Sequence, residues 1–187
     1  MRIISGTLKG KKLYQPKDKF TRPLKDLTKE SLFNIILHSN KFNGKIKDAN
    51  ILDLFSGVGS FGLECLSRRA NAVTFVENYK TVIPILRKNI SSLNLSEKSN
   101  VIEKNILNEL DFHNLNSDFD IIFLDPPYKE KLLSTILEKI SNAKILRKDG
   151  IIIIHRHKNE TNQTSEFFNI IEEKIYGISK LIFGNFP

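Results

Sequence analysis

From residue 50 to residue 154, short apolar runs alternate with longer stretches in which hydrophobic side chains recur every three or four positions. The runs Ile51 to Leu54, Ala72 to Val76, Val101 to Glu103, Phe119 to Leu124 and Gly150 to Ile154 predict strands. The stretches Ser60 to Arg69 and Thr81 to Leu93, a short piece after Ile106, and Glu130 to Ile140 predict helices between them. Phe-Asp-Ile-Ile-Phe-Leu and Gly-Ile-Ile-Ile-Ile are almost unbroken, as strands covered on both faces by crossover helices must be. The alternation predicts an α/β protein with a Rossmann-like, doubly wound sheet. After a polar loop, Lys158 to Ser165, come a helix and two last strands, Ile170 to Tyr176 and Ser179 to Phe183. Only Gly177-Ile178 separates those strands, too little for a crossover, so they are expected to pair antiparallel.

The first 47 residues follow another pattern. Residues 2 to 14 predict a β-hairpin turning near Lys9-Gly10. Thr21-Arg22-Pro23 opens a predicted helix running from about Leu24 to His38, with Leu27, Leu32, Ile35 and Ile36 on its apolar face. A polar linker, Ser39 to Asn50, follows. The expected organisation is a hairpin-and-helix extension, residues 1–47, packed on a core of residues 48–187.

Charge separates the same two parts. Residues 1–47 carry twelve Lys or Arg against three acids, a balance of +9, whereas residues 48–187 carry seventeen against eighteen, a balance of −1. A solvated lysine-rich surface would spread its charge evenly; a concentrated excess suits a polyanion, whose phosphates release counterions on contact. The basic side chains Arg2, Lys9, Lys11 and Lys12 would stud the hairpin. No apolar run approaches the length of a membrane span, and the extension has no apolar helical face flanked by lysines, so no membrane partner is expected. The lone Cys65 excludes an internal disulfide, and a cytoplasmic setting is expected.

Two constellations carry chemistry. Gly57-Val58-Gly59-Ser60-Phe61-Gly62 lies at a strand-to-helix turn, and Glu77 stands twenty residues after Gly57 at the end of the next strand. That spacing fits a nucleotide-binding loop with an acid on a ribose hydroxyl. Asp53, four residues ahead of the loop, would repel a pyrophosphate but suits the ammonium and sulfonium of S-adenosylmethionine. In an open sheet the ligand lies beyond the carboxyl ends of the strands, where Asp53, Glu77, Asn105 and Asp125 all fall. Asn105 taken singly reads as a turn residue.

The second constellation is Asp125-Pro126-Pro127-Tyr128. Consecutive prolines end the hydrogen-bond ladder and hold the preceding residues away from helical angles. The Asp125 carboxylate and the Pro126 carbonyl could then accept the two N–H bonds of an exocyclic base amine and turn its lone pair toward a methyl donor, with Tyr128 stacking on the base. His155 and His157 alternate at the end of the fifth strand without a third ligand, so no metal site is expected. On these residues alone the alternatives are an adenine-N6 DNA methylase, a nicotinamide-dependent oxidoreductase, and an RNA-binding module that keeps the fold without the activity.

With these motifs in place, the chain resembles the RsmD-type 16S ribosomal RNA guanine-N2 methyltransferases. The resemblance rests on Arg2-Ile-Ile-Ser-Gly, Thr21-Arg-Pro, Ser31-Leu-Phe-Asn, Leu52-Asp-Leu-Phe-Ser-Gly-Val-Gly, Val76-Glu77, Asp125-Pro-Pro-Tyr and Tyr176-Gly. It implies a seven-stranded sheet with a reversed last strand, a hairpin that helps grip RNA, and methylation of one guanine in small-subunit rRNA; the expected partner is 16S rRNA or a small-subunit assembly intermediate, and the expected state a monomer. By position, Asp53, Phe55, Gly57, Gly59, Glu77 and Asn105 would contact S-adenosylmethionine, Asp125 to Tyr128 would hold the flipped guanine, and Arg22 would lie near the substrate. The chain departs from the family pattern in two places. Leu24 to Glu30 replaces a more basic segment, with Lys29 expected to take over an arginine's contact to RNA, and His155-Arg156-His157 stands where relatives tend to carry an acid.

Overall fold

The computed structural model describes residues 1–16, 26–42, 44–115, 118–127, 130–160 and 167–187. Its elements are α1 (Asp26–His38), β1 (Asn50–Leu54), α2 (Ser60–Ser67), β2 (Ala72–Val76), α3 (Ile83–Ser92), β3 (Ser99–Ile102), β4 (Phe119–Leu124), α4 (Glu130–Ala143), β5 (Leu146–His157), β6 (Asn169–Tyr176) and β7 (Ser179–Asn185). They form a seven-stranded sheet in the order β3-β2-β1-β4-β5-β7-β6. The first five strands run parallel, and β7 enters antiparallel between β5 and β6.

Alternation along the central strands sorts the core into two layers. Ile51, Phe75, Ile121, Phe123, Ile151, Ile153, Leu181 and Phe183 meet side chains of α1, α2 and α3 on one face. Leu52, Leu54, Ile122, Leu124, Ile152, Ile154 and Ile182 meet α4 and the segment around Phe112 on the other. Burial on both faces is why these strands are nearly free of polar residues.

The N-terminal hairpin is present, with Arg2 opposite Lys12 and its turn over residues 5–10. It is pressed onto α2. The Glu64 carboxylate accepts the amides of Ile4 and Ser5 at 2.8 and 2.9 Å, and the Ser67 hydroxyl accepts Leu8 N–H while donating to Ser5 O. A ladder of rings ties α1 to the sheet, Phe33 stacking on Phe61 of α2 and Phe61 on Phe123 of β4.

Several expectations are corrected. On α1, Leu27 is 72 % exposed, and the buried face is Thr28, Lys29, Leu32, Phe33 and Ile36, because α2 presents Glu64 for Lys29 to meet. The helix expected after Ile106 is a turn followed by a single 3-10 turn at Phe112–Asn114. Strand β5 starts at Leu146 rather than Gly150 and continues through His157. At its start, beyond a register shift, Leu146 pairs with Phe119, and at its end β7 supplies partners for His155, Arg156 and His157. The start of the helix predicted from Leu24, and most of the one predicted ahead of β6, lie outside the described residues.

Candidate active site

The carboxyl ends of β1, β2 and β4 lie side by side, because β1 sits between the other two. From β1, Asp53 turns toward the start of α2, where its Oδ2 accepts the Gly62 amide at 3.0 Å. It is 1 % exposed. Burial pushes its pKa up to about 8; the Gly62 N–H opposes the shift, and the charges of Asp125 and Glu77 add to it.

Phe55 follows with φ 60°, a left-handed backbone at a bulky residue directly after the strand. Such strain persists where the surroundings enforce it, and it is concentrated at functional sites. Gly57 and Gly59 also have positive φ, 54° and 84°, and Gly59 starts α2 by accepting Leu63 N–H. Gly62 is needed for a different reason. A Cβ there would stand 2.4 Å from the Phe75 ring and 2.7 Å from Val73, so its absence lets α2 lie on β2. The Ser60 hydroxyl at the head of that helix is buried with no hydrogen-bond partner among the described residues.

Glu77, at the exit of β2, is tied into the same loop. Its Oε2 accepts Gly57 N–H at 2.8 Å, and its Oε1 accepts Asn78 and Tyr79 N–H at 2.9 and 2.8 Å. Asn105, beyond β3, uses its side-chain oxygen to cap the following turn through Leu107 and Asn108 N–H. Buried Asn89 of α3 joins the loop to the extension: its amide donates to Val58 O and Tyr14 O, and its oxygen accepts Tyr14 N–H at 2.8 Å.

From β4, the Asp125 amide reaches Leu54 O at 3.4 Å, and its half-exposed carboxylate stands at the mouth of the sheet. Pro126 is buried beneath it and Pro127 is exposed. Asp125 also has a partner that residue patterns did not reveal. Its Oδ1 lies 2.9 Å from His155 Nδ1, and His155 Nε2 lies 2.9 Å from Ser179 Oγ. The signal was present but indirect, since Leu124 pairs with Ile154 and places Asp125 beside His155 once the strand order is known.

The expected RNA contacts divide. Arg2, Lys9, Lys11 and Lys12 are exposed on the hairpin, Arg2 beside Asp26 at 3.4 Å. Lys29 is not available to RNA: it is fully buried, donating to Arg2 O at 2.6 Å and lying 3.5 Å from Glu64. Burial lowers its pKa, while Glu64 and Asp26 oppose the shift. Arg22 and Tyr128 lie outside the described residues.

The doubly wound sheet with one reversed strand and the acid ahead of a glycine loop define a class: this is an S-adenosylmethionine-dependent methyltransferase. The chain belongs to the family described as conserved hypothetical protein 95, the RsmD family, whose model matches residues 1–185. It is 35% identical over 179 residues to ribosomal RNA small subunit methyltransferase D of Haemophilus influenzae, spanning 95% of this chain and 90% of that protein. It is 30% identical over 178 residues to the protein of the same name in Escherichia coli, with 95% and 85% covered. The solved structure of the Escherichia coli protein yhhF superposes with a TM-score of 0.82 at 28% identity, covering 100% of this chain and 97% of that one.

Proposed function

We propose that this chain transfers a methyl group from S-adenosylmethionine to the exocyclic N2 amine of one guanine in 16S ribosomal RNA, acting as a monomer on an assembling small subunit. The observation that carries this reading is the Asp125 carboxylate at the mouth of β4, next to the strand that holds buried Asp53. The names of the Haemophilus and Escherichia relatives support the RNA class.

The residues at the loop suit the cofactor. Asp53, held protonated by burial and by neighbouring acids, gains a counter-charge when a cationic ligand arrives. The unpartnered Ser60 hydroxyl, the Phe55–Gly59 backbone and Glu77 supply polar groups for an amino acid and a ribose. Bound there, the cofactor supplies an electrophilic methyl carbon on a sulfonium.

The rest of the task falls to the chain. The target base must leave its stack, since its amine is unreachable inside a duplex. Asp125 and the Pro126 carbonyl accept its N–H groups and aim the nitrogen lone pair, whose delocalisation into the ring makes orientation the main catalytic need. One N–H proton departs to solvent as the N–C bond forms. The exposed cations of the hairpin draw the RNA backbone onto the same side of the molecule as α2.

The experiment is incubation with labelled cofactor and either 16S rRNA or small subunits from a strain lacking the enzyme, followed by nucleoside digestion. N2-methylguanosine is the expected product. N6-methyladenosine would move the protein to the adenine-methylating alternative.

A further inference from the structure

We infer that His155 is a positioning residue for Asp125: it holds one carboxylate oxygen so that the other faces the base amine, and Ser179 anchors the far edge of its ring. The inference rests on the reading of Asp125 as the acceptor of that amine.

The carboxylate fixes the direction of the first bond. A carboxylate offers only acceptors, so at 2.9 Å the proton between Asp125 Oδ1 and His155 belongs to Nδ1. In the neutral ring Nε2 then carries a lone pair, and the Ser179 hydroxyl 2.9 Å away donates to it. The Asp125 carboxylate thus selects the tautomer with Nδ1–H, and Ser179, whose hydroxyl can donate or accept, fixes the opposite edge of the ring. The His155 side chain is only 13% exposed, against 31% for Asp125, so a sheltered ring supports a carboxylate that solvent still reaches.

The scaffold makes this arrangement rigid. His155 sits inside β5, paired with Leu181 of β7 on one side and following Ile154, which pairs with Leu124 of β4, on the other. Ser179 opens β7 opposite His157. The reversed strand therefore brings to the site a hydroxyl from 24 residues further along the chain than the imidazole. Without such a partner Asp125 follows two rotatable side-chain bonds at the end of its strand, and small misplacements of an orienting group are costly.

The test compares the parent with His155→Ala, His155→Asn, Ser179→Ala and Asp125→Asn. Rates are measured with labelled cofactor and small subunits, S-adenosylhomocysteine binding by titration calorimetry, and histidine tautomers by 1H–15N NMR. His155→Ala is expected to lower kcat by roughly 10- to 100-fold with the binding constant for S-adenosylhomocysteine within about twofold of the parent. His155→Asn, whose amide N–H occupies the place of Nδ1–H, is expected to restore most of that loss. In the parent, the His155 resonance is expected to report Nδ1–H, a preference that Asp125→Asn weakens and Ser179→Ala leaves in place.

Parent-like kcat in His155→Ala, no recovery in His155→Asn, or an Nε2–H tautomer in the parent would each overturn the inference. Should His155→Ala fail to fold, the asparagine variant and the parent spectrum still decide. If Asp125→Asn keeps the parent rate, the reading of Asp125 itself fails. If Asp125→Asn is inactive while His155→Ala is unaffected, only the role of His155 is lost.

Discussion

Asp53 is a buried carboxyl, and its pH behaviour follows with a definite sign. Its folded-state pKa of about 8 stands above the ordinary 3.8, so between these values the folded protein keeps a proton that the unfolded chain has lost. The contribution to stability is full below about pH 4 and drains away as pH rises toward 8. A cationic ligand reverses the preference, because it stabilises the carboxylate. Binding of S-adenosylmethionine at pH 7 is therefore expected to release a proton, and affinity to rise between pH 6 and 8. Calorimetry in two buffers of different ionisation enthalpy checks this; heats that do not depend on the buffer would refute it. Asp53→Asn is expected to abolish the release and to bind about 10- to 100-fold more weakly, the range for a hydrogen bond to a charged group. Asp53 and Glu77 were legible from their spacing around the glycine loop. His155 was not, since nothing adjacent to it in the chain names its partner.

The extension and the core meet at α2 and α3, and Glu64 of α2 gathers contacts from both the hairpin and α1. Glu64 is fully buried and receives two hairpin amides, the Arg68 guanidinium at 3.0 Å and the Lys29 ammonium at 3.5 Å. Removing it would leave Lys29 charged and unpaired in the core. Glu64→Ala is expected to destabilise the protein by about 3–5 kcal/mol, as breaking a buried pair from one side does. Lys29→Met keeps the volume and leaves Glu64 with Arg68 and the two amides, so a smaller loss is expected. Denaturant unfolding measures both, and hydrogen exchange at Ile4 and Ser5 reports whether the hairpin loosens. Equal stability of both variants and the parent would remove the pair from any structural role. The helical period of α1 was readable, but the buried stripe is displaced toward Lys29, because the partner across the interface accepts an ammonium. Strand β5 was read too short for a related reason: the charged run Arg147-Lys148-Asp149 does not look like a strand, yet β4 supplies a partner for Leu146, and Arg147 pairs with Asp120 at 2.9 Å.

Across the whole molecule, four exposed cations from the basic residues 1–47, Arg2, Lys9, Lys11 and Lys12, are presented on a hairpin docked to the helix that begins at the glycine loop. Replacing Lys9, Lys11 and Lys12 together with alanine is expected to lower the slope of log affinity against log salt for 16S rRNA by about two to three, since each phosphate contact contributes roughly 0.7–0.9. Anisotropy titrations over a salt series check this, with S-adenosylhomocysteine affinity expected to stay at the parent value; an unchanged slope would place the RNA elsewhere. Among the described residues no helix is long and apolar enough to cross a membrane. The chain by itself determined the positions of the seven strands and of α2, α3 and α4, the antiparallel closing pair, the glycine loop with its acids and the concentration of basic residues in 1–47. Hydrophobic period, turn residues and charge density are local properties, written in neighbouring positions. Only the tertiary structure decided that β7 slips between β5 and β6, that Lys29 is an interior cation and that Asp125 shares His155 with Ser179. Those facts depend on contacts between residues 22 to 35 positions apart, whose formation is settled by strand order and by which buried charge finds a partner.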